Sequence, residues 1–164
     1  MKTDNVNHPR HYSSIFRLKE LECIDITEHL DFCRGNSFKY VWRAGSKGDK
    51  KKKIEDLKKA IWYLKRFQKR MSLSAPCESI MNASAVRVLF SMIVKPETPK
   101  VPFKQNKKTD KMFEDRRRYD ILESIVHNCI SIAISQIEDW IKKIQADERS
   151  KRRASVEQNG KSNN

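Results

Sequence analysis

Two segments with helical periodicity, residues 35–44 and 54–67, are joined by a short turn that begins at Gly45. Apolar side chains of the second segment recur every three or four residues, at Leu57, Ala60, Ile61, Leu64 and Phe67. A turn this short places consecutive helices side by side in opposite directions. The sequence therefore predicts a helical hairpin, with Phe38 and Trp42 of the first helix directed toward a core.

The first helix of this hairpin carries a polar face. Asn36, Lys39, Tyr40 and Arg43 lie at positions i, i+3, i+4 and i+7, so an amide, two cations and a phenol share one side. Lys47 follows just after the turn begins. This arrangement favours an anion site, with Arg43 suited to a forked contact with phosphate. The alternative is that the cations are ordinary surface charges beside a half-buried tyrosine.

Asp56, Lys59 and Tyr63 form a second polar stripe, which is predicted to face the first one across the hairpin. Asp56 either binds a metal ion or pairs with Lys59. Asp25 lies on an earlier segment, residues 16–33, whose apolar residues are compatible with one or two short helices. Its carboxylate would orient the cations of the hairpin, accept a hydroxyl proton, or hold a metal ion.

Helical periodicity continues in the second half of the chain and predicts an all-α protein. We expect two further amphipathic helices, the last one long, separated by a loop at residues 95–111 that is rich in proline and lysine. Residues 149–164 are charged and polar, which is typical of a disordered basic tail. These boundaries divide the chain into a motif domain at residues 1–72, a helical extension at residues 73–148, and the tail.

The predicted hairpin is too small to bury its own apolar side chains, among them Trp62. The long final helix carries an apolar seam through Ile130, Ile137, Trp140 and Ile144. A long helix with such a seam often pairs with a second copy of itself, so the sequence predicts a homo-oligomer. The alternative is that the seam covers the hairpin within one chain.

The formal net charge of +14 indicates an anionic partner, which is a nucleotide, a nucleic acid or a host protein surface. The cysteines are scattered and no leader would export the chain, so we expect reduced thiols in the cytoplasm. No apolar run reaches the ~18 residues of a membrane-spanning helix, and no membrane partner is expected. A zinc site built from His8, His11 and a cysteine is disfavoured because the spacing matches no usual zinc pattern, and no metal site is assigned.

Three motifs occur in order: N-H-P-x-H-Y at residues 7–12, F-C-x-G-N-x-x-K-Y-x-x-R-x-G-x-K at residues 32–47, and D-L-x-K-A-x-x-Y-L at residues 56–64. Together they resemble a family of small phage proteins that includes the nucleotide kinase of T-odd phages, a deoxynucleoside monophosphate kinase. The resemblance covers about residues 7–67. It implies a kinase-like transferase in the cytoplasm of an infected bacterial host, without a glycine-rich phosphate loop.

The resemblance also implies a nucleotide pocket built from these motifs. Lys39 and Arg43, together with Asp25, would carry out catalysis. The substrate would contact residues of all three motifs, namely His8, His11, Tyr12, Asn36, Tyr40, Lys47, Asp56, Lys59 and Tyr63. Tyr40 or Tyr63 would stack on the base, and the imidazoles would donate to phosphate or sugar oxygens. A nucleoside triphosphate would be the phosphate donor, and the metal requirement is left open.

Two other functions fit the same residues. The first is a module that binds a nucleotide or a signalling nucleotide without chemistry, in counter-defence or host take-over by a phage. The second is a basic protein that binds nucleic acid or inhibits a host protein, in which the loop and the tail matter more than the motifs.

Overall fold

The computed structural model describes residues 21–46, 48–73, 83–93 and 107–161. Within these ranges the chain forms six helices and no strand, which confirms the predicted all-α fold. The helices are α1 (Cys23–Thr27), α2 (Phe32–Arg43), α3 (Lys50–Leu73), α4 (Ala83–Ser91), α5 (Lys107–Val126) and α6 (Ile130–Lys161). None of these six is long and apolar enough to cross a membrane.

The predicted hairpin is formed by α2 and α3, both longer than their periodicity indicated. Asp31 begins α2, because its Oδ1 accepts hydrogen bonds from the backbone N–H groups of Cys33 and Arg34 at 3.0 and 3.2 Å. Gly45 follows the end of α2 with a φ of 84°, a left-handed conformation that glycine adopts at little cost. The chain can therefore reverse direction within a few residues and begin α3 at Lys50.

One hydrophobic core includes side chains from both halves of the chain. Phe38 and Trp42 of α2 and Leu57 of α3 are fully buried together with Leu122 of α5 and Ile137 of α6. α5 packs against α2, α6 packs against α3 and α5, and α4 contacts α1 and α5. The apolar side of the hairpin is thus covered by the second half of the same chain.

The apolar seam predicted to join two copies lies inside this core. Ile130, Ile137, Trp140 and Ile144 are 6%, 0%, 1% and 8% exposed. An interface between copies at this seam is therefore a wrong prediction, because these side chains are used to cover the hairpin. The homo-oligomer itself stays a prediction without an assigned interface.

The predicted long final helix is two helices, since α5 ends at Val126 and α6 begins at Ile130. Asn128 adopts a φ of 60°, and asparagine is among the few residues other than glycine that tolerate this conformation. The backbone N–H of Cys129 donates to the Ser124 carbonyl at 2.8 Å and closes the end of α5. This turn folds α6 back onto α5, so that both helices reach the hairpin.

Two segments expected to lack structure are partly helical. α6 extends to Lys161 and so includes most of the predicted tail at residues 149–164. α5 begins at Lys107, inside the predicted loop at residues 95–111, and the preceding part of that loop lies outside the described residues. Charged side chains therefore form the exposed ends of long helices in both places.

A buried arginine of α5 holds the end of α2. Arg118 is 4% exposed, and its Nη2 donates to the Ala44 carbonyl at 2.6 Å. It also pairs with Glu114 and Asp115, at 3.2 and 3.1 Å. Glu114 in turn accepts from Lys53 of α3 at 2.8 Å. The cluster therefore ties α5 to both helices of the hairpin, close to the turn that joins them.

Replacing Arg118 by leucine should lower the free energy of unfolding by about 3 kcal/mol or more, because a buried carbonyl and two carboxylates lose their donor. Urea denaturation measures the change. The control is Lys142→Ala, which removes an exposed ion pair with Asp139 and should change stability by less than about 0.5 kcal/mol. Equal stability of Arg118→Leu and the wild type would show that this cluster does not fasten α5 to the hairpin.

Candidate functional site

A buried ion pair joins the two predicted polar stripes. Arg43 at the end of α2 donates from Nε and Nη2 to the two carboxylate oxygens of Asp56 on α3, at 3.1 and 2.8 Å. The Asp56 side chain is fully buried and that of Arg43 is 13% exposed. A two-point, charge-assisted contact of this kind is both strong and directional. It fixes the end of α2 against α3 and holds the guanidinium in one orientation.

Asp56 is therefore the partner of Arg43 rather than of Lys59. Both of its oxygens accept hydrogen bonds from Arg43, and the side chain has no exposed surface. The predicted pairing with Lys59 is wrong because the partner comes from the other helix of the hairpin, whereas metal binding and substrate contact by Asp56 stay predictions. Among the described residues, no group of three or more His, Cys, Asp or Glu side chains could hold a metal ion.

Tyr40 lies at the centre of the polar face of the hairpin. Its ring stacks on that of Tyr63, with centroids 5.8 Å apart and 21° between the ring planes. Arg43, Lys39 and Lys59 carry cations 4.7, 5.1 and 5.7 Å from the Tyr40 centroid, within the range of cation–π attraction. We name this surface the tyrosine–cation face. Its members are Asn36, Lys39, Tyr40, Arg43, Lys59 and Tyr63.

Lys39 is held on this face by a neutral partner. Its Nζ donates to Oδ1 of Asn36 at 2.8 Å, and Nδ2 of Asn36 donates to the Phe32 carbonyl at 2.7 Å. Burial lowers the pKa of Lys39, and the positive charge of Arg43 lowers the pKa further. Within the described part of the chain, Lys39 forms no ion pair with a carboxylate. Its ammonium is therefore suited to an anion that arrives from solution.

Lys59 differs from Lys39 because it has an acidic partner. It pairs with Glu55, which lies one turn earlier on α3, and Lys52 pairs with the same carboxylate at 2.9 Å. Hydrogen bonds from Lys59 and Lys52 lower the pKa of Glu55 to about 2, and Glu55 raises the pKa of Lys59. The charge of Lys59 is thus partly neutralised before any ligand binds.

Asp25 lies on α1 and already has a hydrogen-bond partner there. Its Oδ2 accepts from the backbone N–H of Glu22 at 2.6 Å, as part of the cap that begins α1. The charges of Lys39, Asp25 and Arg43 all act on the thiol of Cys23. Burial raises the pKa of Cys23 to about 12, so the thiol is neutral at physiological pH. The three residues predicted to be catalytic therefore all influence the same buried cysteine electrostatically.

Four predicted site residues, His8, His11, Tyr12 and Lys47, lie outside the described residues. In the sequence, Lys47 directly follows Ser46. Their part in any site stays a prediction. The residues that the structure does bring together are those of the tyrosine–cation face, with Asp56 buried beneath it.

Two exposed aromatic side chains beside this face are absent from the predicted site. Phe32 is 71% exposed and Trp62 is 60% exposed. Both contact Tyr63, with centroids 5.9 and 4.9 Å away. The prediction that Trp62 needs to be buried is wrong, because its side chain lies on the outer side of α3. Spacing could have identified both rings, since Phe32 lies four residues before Asn36 and Trp62 lies three residues after Lys59.

An open cavity of about 630 Å³ lies between α5 and the turn that follows α2. It is lined by Gly45, Ser46, Lys107, Asp110, Lys111, Glu114, Asp115 and Arg118. Three carboxylates balance three cations in this lining, and two of the carboxylates already pair with Arg118. The cavity therefore has less net positive charge to attract an anion than the tyrosine–cation face has.

The sequence similarity of this chain to known proteins lies mainly in the segment that includes the hairpin. Residues 6–65 match the model of a family described as "Protein of unknown function (DUF3310)", which spans α1, α2 and most of α3. Over 77 residues the chain is 35% identical to the Gene 1.7 protein of Enterobacteria phage T3, covering 44% of this chain and 47% of that protein. The chain thus spans about half the length of the curated relative that it matches. No solved structure matches it.

Asp56→Leu should destabilise the fold by about 3–5 kcal/mol, because it leaves the charge of Arg43 buried without its carboxylate. The double variant Arg43→Leu, Asp56→Leu should recover much of this loss, since a buried pair can be replaced by apolar side chains at small cost. Denaturant unfolding of both single variants and the double variant gives the coupling energy. Additive losses would contradict the pairing.

Lys39 should react with an amine-acylating reagent faster than exposed lysines do at mildly alkaline pH. A lowered pKa leaves a larger fraction of the amine unprotonated and nucleophilic at a given pH. Peptide mapping by mass spectrometry after brief acylation measures the rate, with Lys142, which is exposed on α6, as the comparison. Slower acylation of Lys39 than of Lys142 would contradict the lowered pKa.

Proposed function

We propose that the protein binds a nucleotide at the tyrosine–cation face, with phosphate oxygens at Lys39 and Arg43. The observation that supports this most directly is the convergence of three cations on the Tyr40 ring, at 4.7, 5.1 and 5.7 Å. With four glycines and no glycine-rich phosphate loop, the chain must hold phosphate mainly by side chains. The tyrosine–cation face offers such side chains close together.

The ion pair with Asp56 supports this role by positioning Arg43 before a ligand arrives. A side chain that is already ordered loses little conformational entropy on binding. Lys39 lies one turn earlier on α2, on the same side, and adds a charge that no described carboxylate neutralises. Arg43 would thus act mainly through its fixed position and charge, and Lys39 through direct contact.

The resemblance to a phage kinase leads us to propose further that the bound ligand is a deoxynucleoside monophosphate that accepts phosphate. The γ-phosphoryl group of a nucleoside triphosphate would pass to an oxygen of the monophosphate, and two diphosphates would leave. Enzymes achieve this transfer mostly by positioning the reactants and neutralising their charge. Lys39 and Arg43 would supply that charge in the cytoplasm of an infected bacterium.

A nucleotide-binding module without chemistry is the second candidate, and the state of the acidic residues favours it. Asp56 is fully engaged by Arg43, and Asp25 caps α1. Each of these carboxylates already has a partner in the structure, so neither is left to position a phosphate donor or its metal ion. Such a module needs the same face but no site for a phosphate donor.

A nucleic-acid ligand is favoured by a different part of the molecule. Arg149, Lys151, Arg152 and Arg153 are exposed near the end of α6. Binding through this segment would weaken steeply with added salt, because it depends on the release of counterions from the phosphate backbone. It would also survive changes at Lys39 and disappear when residues 150–164 are removed.

Lys39→Met should weaken the binding of a deoxynucleoside monophosphate by about tenfold or more, the effect of losing a charge-assisted hydrogen bond. Arg43→Lys should also weaken it, because an ammonium keeps the charge beside Asp56 but loses the planar fork. Isothermal titration calorimetry measures both, with Lys142→Met as the matched control on α6. Unchanged affinity in Lys39→Met would show that the phosphate lies elsewhere.

Incubation of the protein with each deoxynucleoside monophosphate and a triphosphate separates the candidates. Formation of diphosphates that is lost in Lys39→Met would support the kinase. Binding without turnover, with and without added Mg²⁺, would support the module. Failure of every nucleotide to bind the wild-type protein would exclude both.

A further inference from the structure

Aromatic and cationic side chains are separated along the hairpin. Phe32 precedes Lys39 by seven residues on α2, a distance of about 10 Å along the helix axis. Tyr63, midway along α3, contacts both Phe32 and Trp62, and its ring also stacks on Tyr40. On this side of the hairpin, exposed aromatic side chains therefore lie at one end and the cations lie farther along. A nucleotide has the same layout, with a flat base at one end and phosphates at the other.

The open ring surfaces belong to Phe32 and Trp62 rather than to the two tyrosines of the tyrosine–cation face. Tyr40 and Tyr63 stack on each other at an angle of 21°, and three cations surround Tyr40. Phe32 and Trp62 meet Tyr63 at angles of 72° and 89° and remain 71% and 60% exposed. A base from solution can reach these two rings without displacing an existing stack.

We propose that Phe32 and Trp62 form a base-stacking platform for the nucleotide whose phosphates contact Lys39 beside Arg43. This inference rests on the proposed function and specifies its ligand. The ligand must carry an aromatic base, so inorganic phosphates and sugar phosphates bind more weakly. Stacking tolerates different bases because each has a π-face, so both purine and pyrimidine nucleotides bind.

A second copy of the chain fits this surface less well than a nucleotide does. In a two-fold interface the same patch meets itself, so cations on the two copies would face each other. Lys39 lies on this surface without a described carboxylate to neutralise it. Like charges brought together in this way oppose association, whereas an anionic ligand is attracted.

Tryptophan fluorescence tests the platform directly, because Trp62 is the exposed member of the three tryptophans. Trp42 and Trp140 are 0% and 1% exposed. A deoxynucleoside monophosphate should quench the emission of the wild-type protein, and inorganic phosphate should not. Trp62→Phe should lose this quenching while it retains nucleotide binding by calorimetry, because a ring remains in place.

Removal of either ring should weaken nucleotide binding selectively. Phe32→Leu and Trp62→Leu should each reduce the affinity for the monophosphate about tenfold and leave the affinity for inorganic phosphate unchanged. Phe113→Leu is the matched control, because it removes a ring that is 44% exposed on α5. Thermal unfolding followed by circular dichroism verifies that each variant is folded.

The outcomes separate this inference from the proposed function. If the wild type binds the monophosphate and both ring variants bind it equally well, the platform is overturned and the proposed function stands. If the wild type binds no nucleotide, the proposed function fails as well.

Tighter binding of a single-stranded oligonucleotide than of a free nucleotide would assign the rings to nucleic acid. Dissociation of an oligomer by Trp62→Leu, seen by light scattering with unchanged nucleotide affinity, would assign them to a second copy. Either result overturns the platform for a free nucleotide.

Discussion

The ion pair between Arg43 and Asp56 is the interaction on which the candidate site depends. A buried charge is costly unless a partner with good geometry compensates it, so α2 and α3 must keep the register that brings this pair together. The same register stacks Tyr40 on Tyr63. A shift of one turn would leave a carboxylate buried alone and would separate the two tyrosines. One pair thus determines both the stability of the hairpin and the layout of its outer face.

The second half of the chain makes this hairpin possible without a second copy. α5 and α6 cover its apolar side, and Arg118 fastens α5 to the carbonyl of Ala44, next to Arg43. The family match ends at residue 65, before α4 begins. Proteins that share only the matched segment would need another way to cover Phe38 and Trp42, which in this chain are fully buried.

Three cations that look equivalent in the sequence have different roles in the structure. Arg43 is committed to Asp56, and Lys59 shares Glu55 with a second lysine. Lys39 has only a neutral amide as its hydrogen-bond partner among the described residues, and burial lowers its pKa. A face of one charge sign can therefore contain a structural cation, a neutralised cation and a cation suited to a ligand. Their positions along a helix do not distinguish them.

The sequence alone determined the all-α fold, the hairpin and the membership of the tyrosine–cation face, because helical periodicity and a glycine turn depend on neighbouring residues. Only the tertiary structure decided the partner of Asp56 and the burial of the α6 seam. The end of α5 near Asn128 was also missed, because helical periodicity continues through this position. A left-handed residue other than glycine is a weak sequence signal. Periodicity specifies which side chains share a face of a helix. What that face packs against depends on helices distant in the chain, whose contacts form only when the core closes.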